Sequence, residues 1–121
     1  MLRCRLLGLA LSLLCVAGGP SAAWAQAFPS KPLRIVVPKA AGGAADLTAR
    51  AVGQKMGEAL GQSVIIDNKP SAGGVVAGEA VAKSPADGYN LLLISSGTAV
   101  SAALFKSLPF DTLNDFTAVA P

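Results

Sequence analysis

Leu33 to Leu47, LRIVVPKAAGGAADL, constrains the fold more than any other stretch: an apolar run meets a proline, then a loop of small residues with two adjacent glycines, then a helix start. Leu33 to Val37 reads as a buried strand that Pro38 ends. Ala41-Gly42-Gly43-Ala44 then turns tightly, with no bulky side chain over the N-terminus of the next helix. The first turn of a helix carries unpaired N–H groups and the positive end of the macrodipole, so backbone alone can hold a carboxylate or phosphate over Gly43 to Ala45. The same strand-Gly-Gly-helix turn also serves as a plain connection, and both readings stand at this point. Nucleotide fingerprints do not fit. Ala41-Gly42-Gly43-Ala44-Ala45-Asp46 lacks the third glycine and the spacing of G-x-G-x-x-G, and no Gly-Lys-Ser/Thr follows.

Upstream, Arg3 and Arg5 precede an apolar run from Leu6 to Ala17, and Ala23-Trp24-Ala25 supplies a small-x-small site. Residues 1–25 are expected to be a secretory signal peptide cleaved before Gln26, because the run is too short to span a bilayer stably. Both cysteines, Cys4 and Cys15, fall inside that segment, so the exported part is expected to have no thiol and no disulfide. The sequence has no histidine, which removes histidine bases and histidine metal ligands together. No metal and no cofactor is expected. The formal charge of +3 falls to +1 once Arg3 and Arg5 are removed, because eight Lys/Arg then face seven Asp/Glu. No basic patch points to nucleic acid.

Residues 26–121 are enough for one small domain. Phe28 to Pro32 is an extended lead-in, its two prolines disfavouring helix. Ala44 to Leu60 reads as an amphipathic helix with Ala45, Ala49, Val52, Met56, Ala59 and Leu60 on its inner face and Gly61 as its C-terminal cap. Asp46 falls in its first turn, where a carboxylate stabilises the N-terminus whatever else it does. Ser63 to Asp67 is a second strand, Asn68 to Gly74 a loop and Val75 to Lys83 a second helix, with Gly74 and Gly78 read as close-packing positions. Tyr89 to Ile94 is a third strand. Ser95-Ser96-Gly97-Thr98 follows it and opens a helix over Ala99 to Phe105, a Ser/Thr cap being its simplest role. Leu108 to Asp111 is a turn, and Phe116 to Ala120 is placed as the start of a fourth strand.

Strands separated by helices of this length imply βαβ crossovers, hence an α/β fold with a parallel sheet and helices on both faces. If the strand order is 2-1-3, the Gly42-Gly43 loop lies beside the Ser95 to Thr98 loop at the switch point of the sheet. Two helix N-termini and several hydroxyls then converge on a crevice suited to a small carboxylated ligand, with Lys39 a further charge if it points inward.

Taken together, Phe28-Pro29-Ser30-Lys31-Pro32 before Ile35-Val36-Val37-Pro38, Gly42-Gly43-Ala44-Ala45-Asp46, Asp67-Asn68-Lys69-Pro70 with Ala72-Gly73-Gly74, Ala86-Asp87-Gly88-Tyr89 with Leu91-Leu92-Leu93, and Leu108-Pro109-Phe110-Asp111 make up a distinctive set. In these segments the chain resembles the periplasmic solute receptors of tripartite tricarboxylate transporters, also called Bug receptors. The resemblance implies a two-lobed periplasmic binding protein, not an enzyme, that closes on a small organic acid or amino acid and delivers it to a membrane permease. It implies that residues 26–121 are an incomplete first lobe, with closure impaired by truncation. It also implies that the loops after the first and third strands hold the ligand carboxylate. Carried over, the candidate ligand-binding residues are Lys39, Ala41, Gly42, Gly43, Ala44, Asp46, Ser95, Ser96, Gly97 and Thr98. Lys39 departs from the aromatic residue usual in such receptors, and Ala99 from a common polar one.

Two other readings are open to the sequence. A small exported α/β hydrolase would use Ser95 or Ser96, but it would need a lysine base, and neither serine sits in G-x-S-x-G. A non-functional fragment would follow from an incomplete sheet with open edges and exposed apolar surface.

Overall fold

In the computed structural model, residues 27–120 are described; the expected signal peptide, residues 1–25, lies outside them. The elements in chain order are β1 (Leu33–Val37), α1 (Ala44–Leu60), β2 (Val64–Asn68), a 3-10 turn (Ala72–Gly74), α2 (Val75–Ala82), β3 (Asn90–Leu92) and α3 (Ser96–Leu104). The strands form a three-stranded parallel sheet in the order β2-β1-β3. Ile35 is the register point, set against Ile66 on one side and Leu91 on the other. That is the order that brings the β1–α1 and β3–α3 loops to neighbouring strand ends.

The central strand explains the arrangement. Leu33, Ile35, Val36 and Val37 are all buried, the pattern of a strand covered on both faces. Burying each such side chain contributes about 2 kcal/mol relative to leaving it exposed. Ile35 and Val37 pack with Ala49, Ala45 and Met56 of α1 and with Val64, Ile66, Leu91 and Leu93. Alternation turns Val36 to the other face, where α2 contacts β1 and β3. Helices therefore cover both faces.

The inner face of α1 is rotated from the expected one by roughly 50°, taking 100° per residue. Ala45, Ala49 and Met56 do face the core, but Asp46 and Gly53 are also buried, while Val52, Ala59 and Leu60 are exposed. Gly53 is the cause. A Cβ there would lie 3.2 Å from both Ile66 Cδ1 and Val64 Cγ1, so the helix seats its glycine side against β2. Gly61 ends α1 in the left-handed conformation, its N–H donating to Gly57 O at 3.0 Å.

Two long-range clamps finish the fold. The lead-in is held at the entrance to β3: Tyr89 Oη accepts from Ser30 N at 2.8 Å, and Phe28 stacks 4.9 Å from the Tyr89 ring. Lys31 Nζ lies 4.3 Å from the centre of that ring and 2.9 Å from Asp87 Oδ2. At the other end of the chain, the Leu108–Asp111 turn drives Phe110 onto α2, where a Cβ at Gly78 would come within 2.5 Å of the ring. Gly78 is a packing position, as its spacing suggests.

The fourth strand expected over Phe116 to Ala120 does not form. Phe116 turns edge-on to Phe110 at 5.6 Å, and residues 117–120 run irregular and exposed with no ladder partner among the described residues.

Candidate functional site

The site is built where β1 and β3 end. Leu93 N donates to Val36 O at 3.0 Å, carrying the β1–β3 pairing to the loop, and on the other side Lys69 N donates to Val37 O at 2.8 Å. Three loops therefore leave the same edge of the sheet. Asn68 Nδ2 donates to Lys39 O at 3.2 Å, tying the loop after β2 to the loop after β1.

In the first loop, Gly42 has φ +83°, a conformation that favours glycine, and a Cβ there would meet nothing within 4 Å. The space above it is open. Gly43 is extended and precedes α1, whose first backbone bond runs from Leu47 N to Gly43 O at 3.0 Å. The N–H groups of Ala44, Ala45 and Asp46 have no intrahelical acceptor.

Asp46 holds this loop to its helix. The residue is 2% exposed, and its Oδ2 accepts from Gly42 N at 2.8 Å and from Arg50 Nε at 2.9 Å. The Arg50 guanidinium, then the Gly42 N–H, hold its carboxyl at about 2, below the ordinary 3.8. Burial opposes that shift. Oδ1 is buried with no hydrogen-bond partner among the described residues.

The third loop lacks the side-chain cap expected of a Ser/Thr-rich helix start. Ser95 is extended and makes no capping bond. Instead its carbonyl accepts from Thr98 N at 2.9 Å and Ala99 N at 3.2 Å, starting α3 three residues earlier than expected. The N–H groups of Ser96 and Gly97 have no intrahelical acceptor. Two helices of one sheet thus begin without a capping side chain.

Lys39 links the two loops. Its backbone belongs to the loop after β1, yet its Nζ comes within 4.0 Å of the position of a Cβ on Gly97, at the start of α3. Ser95 Oγ lies 3.6 Å from the same point. Among the candidate residues, Lys39, Ala41, Gly42, Gly43, Ala44 and Ser96 are exposed, Ser95 and Gly97 are half-buried, and Asp46 and Thr98 are buried. Thr98 Oγ1, with no hydrogen-bond partner among the described residues, is packed against Gly74.

Sequence reasoning missed the contribution of the middle loop. Asn68 was legible only as a turn former, yet it pins the backbone of Lys39. The spacing of Gly74 and Gly78 suggests a contact within helix packing, whereas Gly74 sits between Pro38 of the first loop and Thr98 in the first turn of α3. The glycine pair Gly73-Gly74 was the available signal, since both take positive φ.

Two open grooves lie away from these loops. One, about 690 Å³, runs between α1 and β2 along Gly53, Gly57 and Gln62. The other, about 580 Å³, follows Phe105 to Leu113. Neither opens on a helix N-terminus, so we place the candidate site at the strand ends instead.

Comparison with known proteins places this chain in a family. The model of the tripartite tricarboxylate transporter family receptor matches residues 48–121. A UPF0065 protein of Bordetella bronchiseptica is 46% identical over 101 residues, which is 83% of this chain and 30% of that protein. Among solved structures, the periplasmic binding protein BugD superposes with a TM-score of 0.66 at 37% identity, over 69% of this chain and 28% of that one. MatC from Rhodopseudomonas palustris, solved with bound malate, superposes with a TM-score of 0.64 at 38% identity, over 69% of this chain and 29% of that one. The chain spans about a third or less of the length of these proteins. With a family model covering more than half of its residues and a parallel sheet shared with these structures, the chain belongs to the tripartite tricarboxylate transporter receptor family.

Proposed function

We propose that this chain is a periplasmic receptor component that binds a small carboxylated solute for delivery to the membrane permease of a tripartite tricarboxylate-type transporter. Residues 1–25 serve as its cleaved signal peptide, and the described residues form part of the first lobe of the receptor. The carboxylate sits over the strand ends, between the loop Lys39 to Ala44 and the turn Ser95 to Gly97.

The observation that carries this reading is the juxtaposition of two helix N-termini, neither capped by a side chain, with one lysine ammonium reaching from the first loop to the second. Free N–H groups, two positive dipole ends and a cation favour an anion at this place. Asp46 does not cancel that field, because its charge is already matched by Arg50 and Gly42 N–H. The bound malate of MatC is an anion of the class such a site takes.

The test is thermal unfolding of the exported chain with and without malate. A ligand that binds only the folded state raises the midpoint with concentration, by about 2.7 kcal/mol of stabilisation at one hundred times its Kd. A midpoint that malate leaves unmoved, together with the same result for other small organic acids and amino acids, rules this function out.

A further inference from the structure

Asp87 lies in the turn between α2 and β3, and it is the one aspartate or asparagine of the sequence that is followed by glycine. Asp87 and Gly88 are both exposed, and Gly88 N donates no hydrogen bond among the described residues. Gly88 has φ +79°, and the nearest atoms to a Cβ there would be Phe28 ring carbons at 3.4 Å. The backbone nitrogen next to the Asp87 carboxyl is therefore neither bonded nor shielded by a side chain of its own.

The carboxyl is held from the other side. Oδ2 lies 2.9 Å from Lys31 Nζ, and Oδ1 accepts from Tyr89 N at 3.2 Å. An ammonium at that distance favours the ionised form, which is a poor electrophile.

The residue after Gly88 anchors the lead-in. Tyr89 O accepts from Arg34 N at 2.8 Å, the Tyr89 ring stacks on Phe28, and Tyr89 Oη accepts from Ser30 N. The length of backbone just before Tyr89 thus sets whether it reaches all three partners.

We infer that Asp87-Gly88 is a site of spontaneous isoaspartate formation, restrained by Lys31, and that its conversion loosens the lead-in from β3. Gly88 N attacks Cγ of the protonated Asp87 carboxyl. A C–N bond forms, a Cγ–O bond breaks, and the amide proton leaves with the hydroxyl as water, closing a succinimide. Water then adds at the main-chain carbonyl of Asp87 and breaks its bond to Gly88 N. The chain now runs through Cβ and Cγ, one methylene longer, and the old main-chain carbonyl becomes a free carboxylate. Water is the only co-reactant.

The test incubates the exported chain in heavy-oxygen water at neutral pH and maps its peptides for isoaspartate. Isoaspartate carrying one heavy oxygen is expected at Asp87 ahead of Asp46, Asp67, Asp111 and Asp115. Lys31→Ala is expected to speed it in the folded chain by roughly two- to fivefold, the range set by an exposed ion pair, and to change nothing in urea, where the clamp is absent. Asp87→Glu, which would have to close a larger ring, is expected to abolish it. The isolated isoaspartyl form is expected to unfold at a lower urea midpoint than the unconverted chain. A folded chain in which Asp87 stays unconverted, a folded Lys31→Ala chain that converts at the wild-type rate, or an isoaspartyl form with the unconverted midpoint overturns the inference.

Discussion

Pro38, in the loop after β1, and Thr98, in the first turn of α3, close on the same glycine: a Cβ at Gly74 would lie 2.9 Å from Pro38 Cβ and 3.0 Å from Thr98 Oγ1. Gly74 has φ +73°, so it is constrained by conformation as well as by space. The 3-10 turn after β2 is therefore the spacer that fixes how near Pro38 and the start of α3 stand.

Gly74→Ala is expected to destabilise the chain by more than the roughly 1–2 kcal/mol of a left-handed non-glycine residue, because the added methyl also meets Pro38 and Thr98. Since it pushes those two residues apart, it is expected to weaken malate binding as well. Chemical denaturation and ligand titration of the same variant check both effects.

Asp46 makes the fold sensitive to acid. Its carboxyl titrates at about 2 in the folded chain against an ordinary 3.8. A carboxylate with a depressed folded value stabilises the fold above the ordinary value, and that contribution disappears as the pH falls through the folded one. The window is therefore pH 4 down to pH 2. Asp87 and Asp111 are lowered too, by Lys31 and by Asn114 respectively, and they add to the slope. Asp46→Asn is expected to lower the unfolding midpoint at pH 7 and to flatten, without abolishing, its fall between pH 4 and pH 2. A variant with the wild-type slope would show that the Gly42–Asp46–Arg50 contacts do not hold the loop.

Phe110 is the plug of the C-terminal segment, buried against Gly78. Phe110→Ala is expected to cost about 3 kcal/mol, in the usual range for emptying a buried aromatic position. Gly78→Ala is expected to cost about 1–3 kcal/mol by overpacking from the opposite side. Because both act on one contact, the double variant is expected to lose less than the sum of the two. Urea midpoints of the three variants decide it.

Much of this was legible in the sequence where a local pattern and a global constraint agreed. Leu33 to Val37 reads as a buried strand and two crossovers of this length imply a parallel sheet, whereas the order that sets the Gly42-Gly43 loop beside Ser95 to Thr98 is only a condition in the sequence and a finding in the structure. The face of α1 was less legible, because hydrophobicity weights Val52 and Leu60, whereas the packing is decided by the absence of a side chain at Gly53. Phe116 to Ala120 shows the same limit from another side. Its composition suits a strand, but strand formation needs a partner edge, and the Phe110 ring captures Phe116 first. At the site, backbone pinning by Asn68 and the reach of Lys39 to Gly97 are long-range contacts that no spacing rule encodes.

An anion held across the two helix starts would be seen in the backbone amide shifts of the exported chain during titration with malate. The expected result is a saturable set of shifts centred on Ala44, Ala45, Ser96 and Gly97, with Lys39 and Gly43 beside them. Shifts confined to Gly53, Gly57 and Gln62, along the groove between α1 and β2, or no saturable shifts at all, would contradict it.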